Sequence, residues 1–246
     1  MISNFLKTLS SIPENVTLKL EYLIDRQDFY TLLCNKSNLS IIQERSRFMI
    51  VNLGSNRNRI PNSIGVDAIA QDGVDVVHDL NFFPYPFDEN SIDVVHAYHV
   101  IEHLDNPLKA IEEIHRILIP DGILYLRVPH FSSLYAWGDI THKQAFSTHA
   151  FDIFDVTGDF KNWGYTTKKF YFIKKKIRYF YSWPNEKWYM EYVVRPNWPV
   201  FAGFILKPFI LTMNFLINIS TELFERFWCY WVGGAAEIYI IMRKVE

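Results

Sequence analysis

From Phe48 onward, short apolar runs alternate with clusters of turn-forming and acidic residues. Phe48-Met49-Ile50-Val51 stops at Asn52-Leu53-Gly54-Ser55-Asn56, and Ser63-Ile64-Gly65-Val66 closes on Asp67. Val74-Asp75-Val76-Val77 runs into His78-Asp79, and Ile92–Ala97 and Ile123–Val128 are a fourth and a fifth run. Short β-branched runs bounded by turn residues predict strands of a buried parallel sheet. Before the fifth run a helix is predicted, with Asn106 as N-cap, Pro107 at the first helical position and Pro120-Asp121-Gly122 as its end. Leu108, Ile111, Ile114 and Leu118 fall on one face, and Glu112 and Arg116 are spaced to pair on the other. Strands alternating with helices predict right-handed crossovers and a doubly wound α/β sheet.

The flanks differ from this centre. Residues 1–47 read as a polar N-terminal cover segment, leaving 48–246 as the main domain. Lys168–Tyr181 alternates basic and aromatic residues, which predicts a long strand or hairpin arm with a solvated face rather than a nucleic-acid stripe. Trp198–Trp231, within an aromatic-rich insertion at about 196–232, is strongly apolar but carries Lys207-Pro208, Asn214 and Asn218. A charge inside such a run disfavours a membrane span. A helical pair covering the site is expected, with peripheral membrane contact or a homodimer surface as the other readings. Ala236–Val245 predicts a final strand.

Composition narrows the class further. With 246 residues, 49% hydrophobic and 21% charged, the chain can bury a full core, so disorder, collagen and coiled coil are excluded. A net charge of −2 argues against a protein built to grip nucleic acid. Two cysteines, Cys34 and Cys229, make no disulfide framework or zinc ribbon. Met1–Pro13 has no continuous apolar stretch of the secretory kind, so a cytoplasmic setting is expected.

In open α/β sheets ligands bind beyond the carboxyl ends of the strands. Here those ends carry Gly54 after the first, Asp67 after the second, His78-Asp79-Leu80 after the third, Tyr98-His99 after the fourth and Pro129-His130 after the fifth. A glycine lets backbone approach a ligand, one acid suits ribose hydroxyls, and another suits adenine: together they describe a nucleoside site. The stretch Asn52-Leu-Gly-Ser-Asn, Gly65-Val-Asp67, His78-Asp-Leu80, His99-Val-Ile-Glu-His-Leu104 and Glu113-Ile-His-Arg-Ile-Leu-Ile-Pro-Asp-Gly122 resembles the class I S-adenosylmethionine-dependent methyltransferases. The resemblance covers roughly residues 48–150. It implies a Rossmann-like, seven-stranded sheet with the last strand antiparallel, and S-adenosyl-L-methionine as cofactor. It further implies Asn52, Gly54, Ser55 and Asn56 at the methionine end, Asp67 and Ala68 at the ribose, Asp79 and Leu80 at adenine, and Tyr98 and His99 lining the pocket. Two departures stand out: Asn56 and Asn58 occupy positions where further glycines are usual, and Gly54 to Asp67 is too short for the usual first helix. Without a helix N-terminus to hold pyrophosphate, a phosphate-free cofactor is the better candidate.

Methyl transfer needs positioning and, for a hydroxyl acceptor, a base near neutral pKa. His130 and His142, with Asp139 to orient one of them, are the candidates, and the expected acceptor is a small molecule or glycan methylated on oxygen. Surface-polysaccharide chemistry enters here by analogy alone. Non-catalytic cofactor binding or a membrane-associated scaffold is the alternative. His99-Val-Ile-Glu102-His103 also fits the H-x-x-E-H zinc-hydrolase pattern, which requires both imidazoles on one helix. Because His99 follows a strand directly, no metal ligand is assigned.

Overall fold

The structure is a computed structural model that describes residues 48–55, 60–179, 212–231 and 234–245. The N-terminal cover segment, Asn56, and the first part of the aromatic insertion lie outside the described residues. The runs read from the sequence become β1 (Ile50–Leu53), β2 (Ile64–Asp67), β3 (Val76–Val77), β4 (Ile92–Tyr98) and β5 (Leu118–Pro129), followed by β6 (Phe170–Arg178) and β7 (Glu237–Lys244). They form one sheet of order β3-β2-β1-β4-β5-β7-β6. The first five strands pair in parallel, and β7 enters antiparallel between β5 and β6. This is the doubly wound, Rossmann-like arrangement with an antiparallel last strand, as expected.

Central strands read as continuous apolar runs because both faces are covered. Val51, Val95, Leu124, Leu126 and Ile240 are fully buried in the main core, while Ile50, Tyr125, Tyr239 and Ile241 belong to a smaller cluster on the other face. The predicted helix is α1 (Pro107–Ile117), and Asn106 caps it by accepting a hydrogen bond from the Lys109 N–H at 3.0 Å. Two details differ from the sequence reading. Arg116 pairs with Glu113, not Glu112: its Nε and Nη2 donate to the Glu113 carboxylate at 2.9–3.0 Å. Arg116 also donates to the Tyr85 and Phe87 carbonyls, so its guanidinium joins α1 to the loop before β4, while Glu112 accepts from Thr166 Oγ1 at 2.8 Å. Nor is Pro120-Asp121-Gly122 a terminating loop. The helix already ends at Ile117, and these three residues lie inside β5, where the pairing with β4 shifts register. Asp121 takes a positive φ of 62°, so turn chemistry is used here for a bulge.

The short link from β1 to β2 is a turn among its described residues: Ser63 N–H and Oγ both donate to the Ile60 carbonyl. A short helix, α2 (Leu134–Gly138), follows β5, and the described part of the aromatic insertion is also helical. It comprises α3 (212–219) and α4, which runs through Thr221–Leu223, the π-helical turn Phe224–Trp228 and Cys229–Trp231. The two asparagines that interrupt the apolar run have a structural use. Asn218 accepts from the Ile177 N–H at 3.0 Å and donates to the Ile177 carbonyl at 2.7 Å, and Asn214 accepts from the Tyr179 N–H at 2.7 Å. Since β6 ends the sheet, these amides complete an edge that would otherwise leave backbone groups unpaired. Among the described residues no helix is long and apolar enough to cross a membrane.

Replacing Asn218 with Ala removes both bonds to Ile177 and is expected to lower unfolding free energy by about 2 kcal/mol, measured by urea denaturation. Asn218→Asp, which cannot donate to the carbonyl, is expected to fall between the two; equal stability of all three proteins would contradict the edge-capping role.

Candidate active site

Four neighbouring strands, β3, β2, β1 and β4, present their carboxyl ends along one rim. β1 leaves the sheet at Gly54, whose φ is +64°; a Cβ there would stand 2.7 Å from Val100 Cγ2. Both the backbone conformation and the close approach require glycine. Ser55 is buried: its N–H donates to the Val66 carbonyl, and its hydroxyl donates to Gly73 O at 3.4 Å. Asn52 is also interior, between Gly65 and His96 in the sheet. These two side chains therefore shape the turn from within, and Gly54 brings backbone to the rim. Asp67 ends β2 half-buried, with Oδ1 accepting from the Ile69 N–H, and Ala68 beyond it is exposed. The Asp67 carbonyl accepts from the His78 N–H at 2.8 Å, which ties the ends of β2 and β3 together. Asp79 Oδ1 accepts from the Asn81 N–H and side-chain amide, and Leu80 is buried beside it.

At the end of β4, Tyr98 shares a 2.8 Å hydrogen bond with His96 Nδ1, and the Arg127 guanidinium lies over its ring. Burial, with Arg127 adding to it, pushes His96 down to about 3, so this imidazole is neutral in the core. His99 reverses the chain with φ 52°. Its Nε2 is 3.1 Å from Glu237 Oε2 and its Nδ1 3.4 Å from Glu102 Oε1. Burial would lower its pKa, but Glu102 and Glu237 together outweigh that and push it up to about 9. Glu237 is fully buried at the start of β7. Burial would raise its pKa, but Arg127, His99 and Arg178 hold it down at about 2. The chain from β4 then makes a single tight turn, Ile101–His103. His99 and His103 thus share no helix, and the His99 ring is turned toward Glu237, so the zinc-hydrolase pairing of those two residues is not formed.

The acceptor-side expectations divide. His130 is fully buried, with both ring nitrogens engaged. The Ser132 N–H donates to Nδ1 at 3.2 Å, which places the ring proton on Nε2, 3.0 Å from Glu225 Oε1. The same carboxylate oxygen accepts from the Thr148 N–H at 2.6 Å. Burial would raise the Glu225 pKa, but the bonds from His130 and Thr148 more than offset it and hold it below the usual carboxylate range. His130 is therefore a strut joining the end of β5 to α4, and it has no free nitrogen to act as a base. His142 is different. Its Nδ1 faces the Ala136 carbonyl at 3.2 Å, while Nε2 stands 3.9 Å from both Glu102 Oε1 and Asp139 Oδ2. Asp139 is half-exposed, and Thr141, donating from hydroxyl and backbone, keeps its carboxyl below the usual range.

Glu102, Glu225 and Glu237 are the polar residues of this region that the sequence reading did not assign to the site. Glu237 is a lone acid at the head of an apolar run, which was a readable sign of a buried partner, whereas Glu102 and Glu225 have charged or titratable neighbours in sequence and carried no such sign; the choice of His130 as the partner of Glu225 depends on tertiary packing. Beyond the strut, α3 and α4 leave Phe215, Ile219, Leu223, Phe227 and Trp231 exposed at a four-residue spacing.

Residues 62–126 match the family model described as a methyltransferase domain. A S-adenosylmethionine-dependent methyltransferase from Archaeoglobus fulgidus is 16% identical, with 94% of this chain and 100% of that one covered at a TM-score of 0.44. The YcgJ protein from Bacillus subtilis is 17% identical, with 82% and 93% covered at a TM-score of 0.42. No curated protein is a relative by sequence.

Two outcomes test this geometry. Gly54→Ala is expected to cost at least about 1–2 kcal/mol of stability from the left-handed backbone alone; adding Val100→Ala relieves the steric part, and additivity of the two changes would contradict the contact. Glu237→Gln is expected to destabilise by about 3 kcal/mol at pH 7 by removing the buried carboxylate that His99, Arg127 and Arg178 share. A carboxylate made more acidic by folding stabilises above its ordinary value of 4.5 and withdraws that support as pH falls toward 2. The gap between Glu237→Gln and the parent should therefore narrow below pH 4.5 in urea titrations, and a pH-independent gap would exclude the charged pairing.

Proposed function

We propose that this chain is a class I S-adenosylmethionine-dependent methyltransferase and that it transfers the methyl group to an oxygen of a small-molecule or saccharide-like acceptor, a reading supported by the methyltransferase-domain match at residues 62–126. One observation carries the placement of the cofactor: Gly54, Asp67 and Asp79 stand at the carboxyl ends of three adjacent parallel strands, on one rim. The chemistry of that rim fits the cofactor. Two carboxylates suit ribose hydroxyls, an adenine amino group and a positive sulfonium, and they would repel a pyrophosphate. The described part of the first crossover supplies no helix N-terminus for phosphate either.

When bound, S-adenosylmethionine supplies an electrophilic methyl group on sulfur. On this reading the chain's own residues do the rest. The backbone at Gly54 approaches the methionine end, Asp67 accepts hydrogen bonds from the ribose, and Asp79 and the buried Leu80 hold the adenine between a polar and an apolar contact. Tyr98 and His99 bound the side facing the acceptor. His142, held through its Nδ1 by the Ala136 carbonyl, directs Nε2 toward Glu102 and Asp139, and it receives the acceptor hydroxyl. Most of the rate then comes from alignment and exclusion of water, with His142 acting on the one bond that must lose a proton. The exposed stripe on α3 and α4 supports a surface contact, with a membrane interface or a second copy, beside this site.

Asp67→Ala is expected to weaken S-adenosylhomocysteine binding at least tenfold in isothermal titration with the fold intact, and unchanged affinity would show that the ribose is held elsewhere. Hydroxyl-bearing saccharides, amines and thiols can be screened together by formation of S-adenosylhomocysteine. Turnover confined to hydroxyl acceptors and lost in His142→Ala is the expected pattern; turnover on amines alone would overturn the oxygen assignment.

A further inference from the structure

Glu102, His103 and His142 each bring one potential ligand atom to a common point, and these atoms all lie within 4.8 Å of one another. The three come from two segments, the turn after β4 and the loop after α2 (Leu134–Gly138), and several contacts stitch those segments together. The Lys143 N–H donates to the Glu102 carbonyl at 2.8 Å, the Gln144 amide to the Leu104 carbonyl at 3.2 Å, and Lys143 Nζ pairs with Asp105 at 2.7 Å. The imidazoles stack edge to face with centroids 4.6 Å apart.

Two further observations distinguish this cluster from a chance meeting of polar groups. Glu102 is fully buried, and among the described residues neither carboxylate oxygen has a hydrogen-bond partner. His99 pairs with Oε1 as an ion pair at 3.4 Å, outside hydrogen-bond geometry, and Oε2 has no such partner among the described residues. A buried carboxylate in that condition is costly unless something else coordinates it. The second observation concerns the imidazoles. His103 Nδ1 is held by Thr141, 3.3 Å from its carbonyl and 3.0 Å from its hydroxyl, and His142 Nδ1 is held by the Ala136 carbonyl. A histidine that ligates a metal through one nitrogen characteristically gives the other N–H to a backbone carbonyl, which fixes tautomer and orientation. Here both rings are oriented in that way, and Nε2 is the nitrogen left to each.

We propose that Glu102, His103 and His142 bind a divalent transition-metal ion. Two imidazoles and one carboxylate form a three-ligand set suited to zinc, which leaves a coordination position open, whereas magnesium prefers oxygen ligands alone. Ligand atoms on a tetrahedral zinc stand about 3.4 Å apart, so from separations within 4.8 Å the set closes by side-chain rotation of up to about 1.4 Å between any two atoms. The histidines of the H-x-x-E-H segment are then divided: His103 is a ligand, while His99 remains on Glu237, and the second imidazole comes from His142. The role of the ion rests on the methyltransferase reading given above. At the acceptor side, the open position can take a hydroxyl of the acceptor and raise its acidity, its proton leaving to solvent as the oxygen takes the methyl group and the sulfur departs as a neutral thioether; with the ion bound, His142 serves that hydroxyl as a ligand holding the ion and not as the base itself.

Metal binding is tested apart from turnover. Chelator-treated protein, dialysed against buffered zinc and analysed by mass spectrometry, is expected to retain one ion per chain. His103→Ala and His142→Ala should each weaken retention at least tenfold, while His149→Ala, which removes an imidazole paired with Asp152 outside the cluster, should not. S-adenosylhomocysteine titration on the same samples reports whether each variant is folded. Zinc retained by the parent but equally by His103→Ala and His142→Ala, or no stoichiometric zinc on a parent that binds S-adenosylhomocysteine, would overturn the site. Stoichiometric zinc on a parent that does not bind S-adenosylhomocysteine would leave the metal site standing and remove the methyltransferase role built on it.

Discussion

His99 leaves β4 with its backbone in the left-handed region and its ring between two buried glutamates, and the arrangement of the rim follows from that reversal. The turn presses Val100 onto Gly54, so the exits of β1 and β4 are fixed against each other. It points Glu102 inward and sends His103 to Thr141. On its far side it ties β4 to Glu237, the first residue of β7 and a partner of Arg178 on β6. A left-handed histidine costs about 1–2 kcal/mol, and the paired charges around it oppose that cost. One residue thus couples the parallel half of the sheet to the antiparallel hairpin that completes it.

That coupling divides the rim by chemistry. On the side of β1 to β3, the groups are a glycine turn and two carboxylates, suited to a polar, phosphate-free ligand. On the side of β4 and β5, the groups are imidazoles and a buried acid, which can hold or move a proton or ligate a metal ion. Between the second side and the helices above it stands the His130–Glu225 strut, which fastens α4 to the end of β5 and engages both ring nitrogens of His130. His130 and His142 are the same residue type in one region, and their partners separate them.

The parallel strands and α1 were legible in the sequence because their signal is local: β-branched runs, an asparagine cap and a proline at the first turn act within a few residues. The antiparallel position of β7 came from the family resemblance, since strand order is set by packing between distant segments. The strand-end residues Gly54, Asp67 and Asp79 were legible for the same reason as the strands. His130 and His142 were not separable, because the difference lies in Glu225, 95 residues away from His130, and in the Ala136 carbonyl. The choice of Glu113 over Glu112 by Arg116 was likewise hidden, since the Tyr85 and Phe87 carbonyls that draw the guanidinium belong to another segment. The Pro120-Asp121-Gly122 triplet carried a true turn signal whose use, a bulge inside β5, depends on the neighbouring strand.

Hydrogen–deuterium exchange with and without S-adenosylhomocysteine reports on the rim without requiring an acceptor. Slowed exchange is expected to be confined to the segments around Gly54, Asp67–Ala68 and Asp79–Leu80 and to the turn that starts at His99. Protection that spares these strand ends, or appears instead at the opposite edge of the sheet, would contradict it.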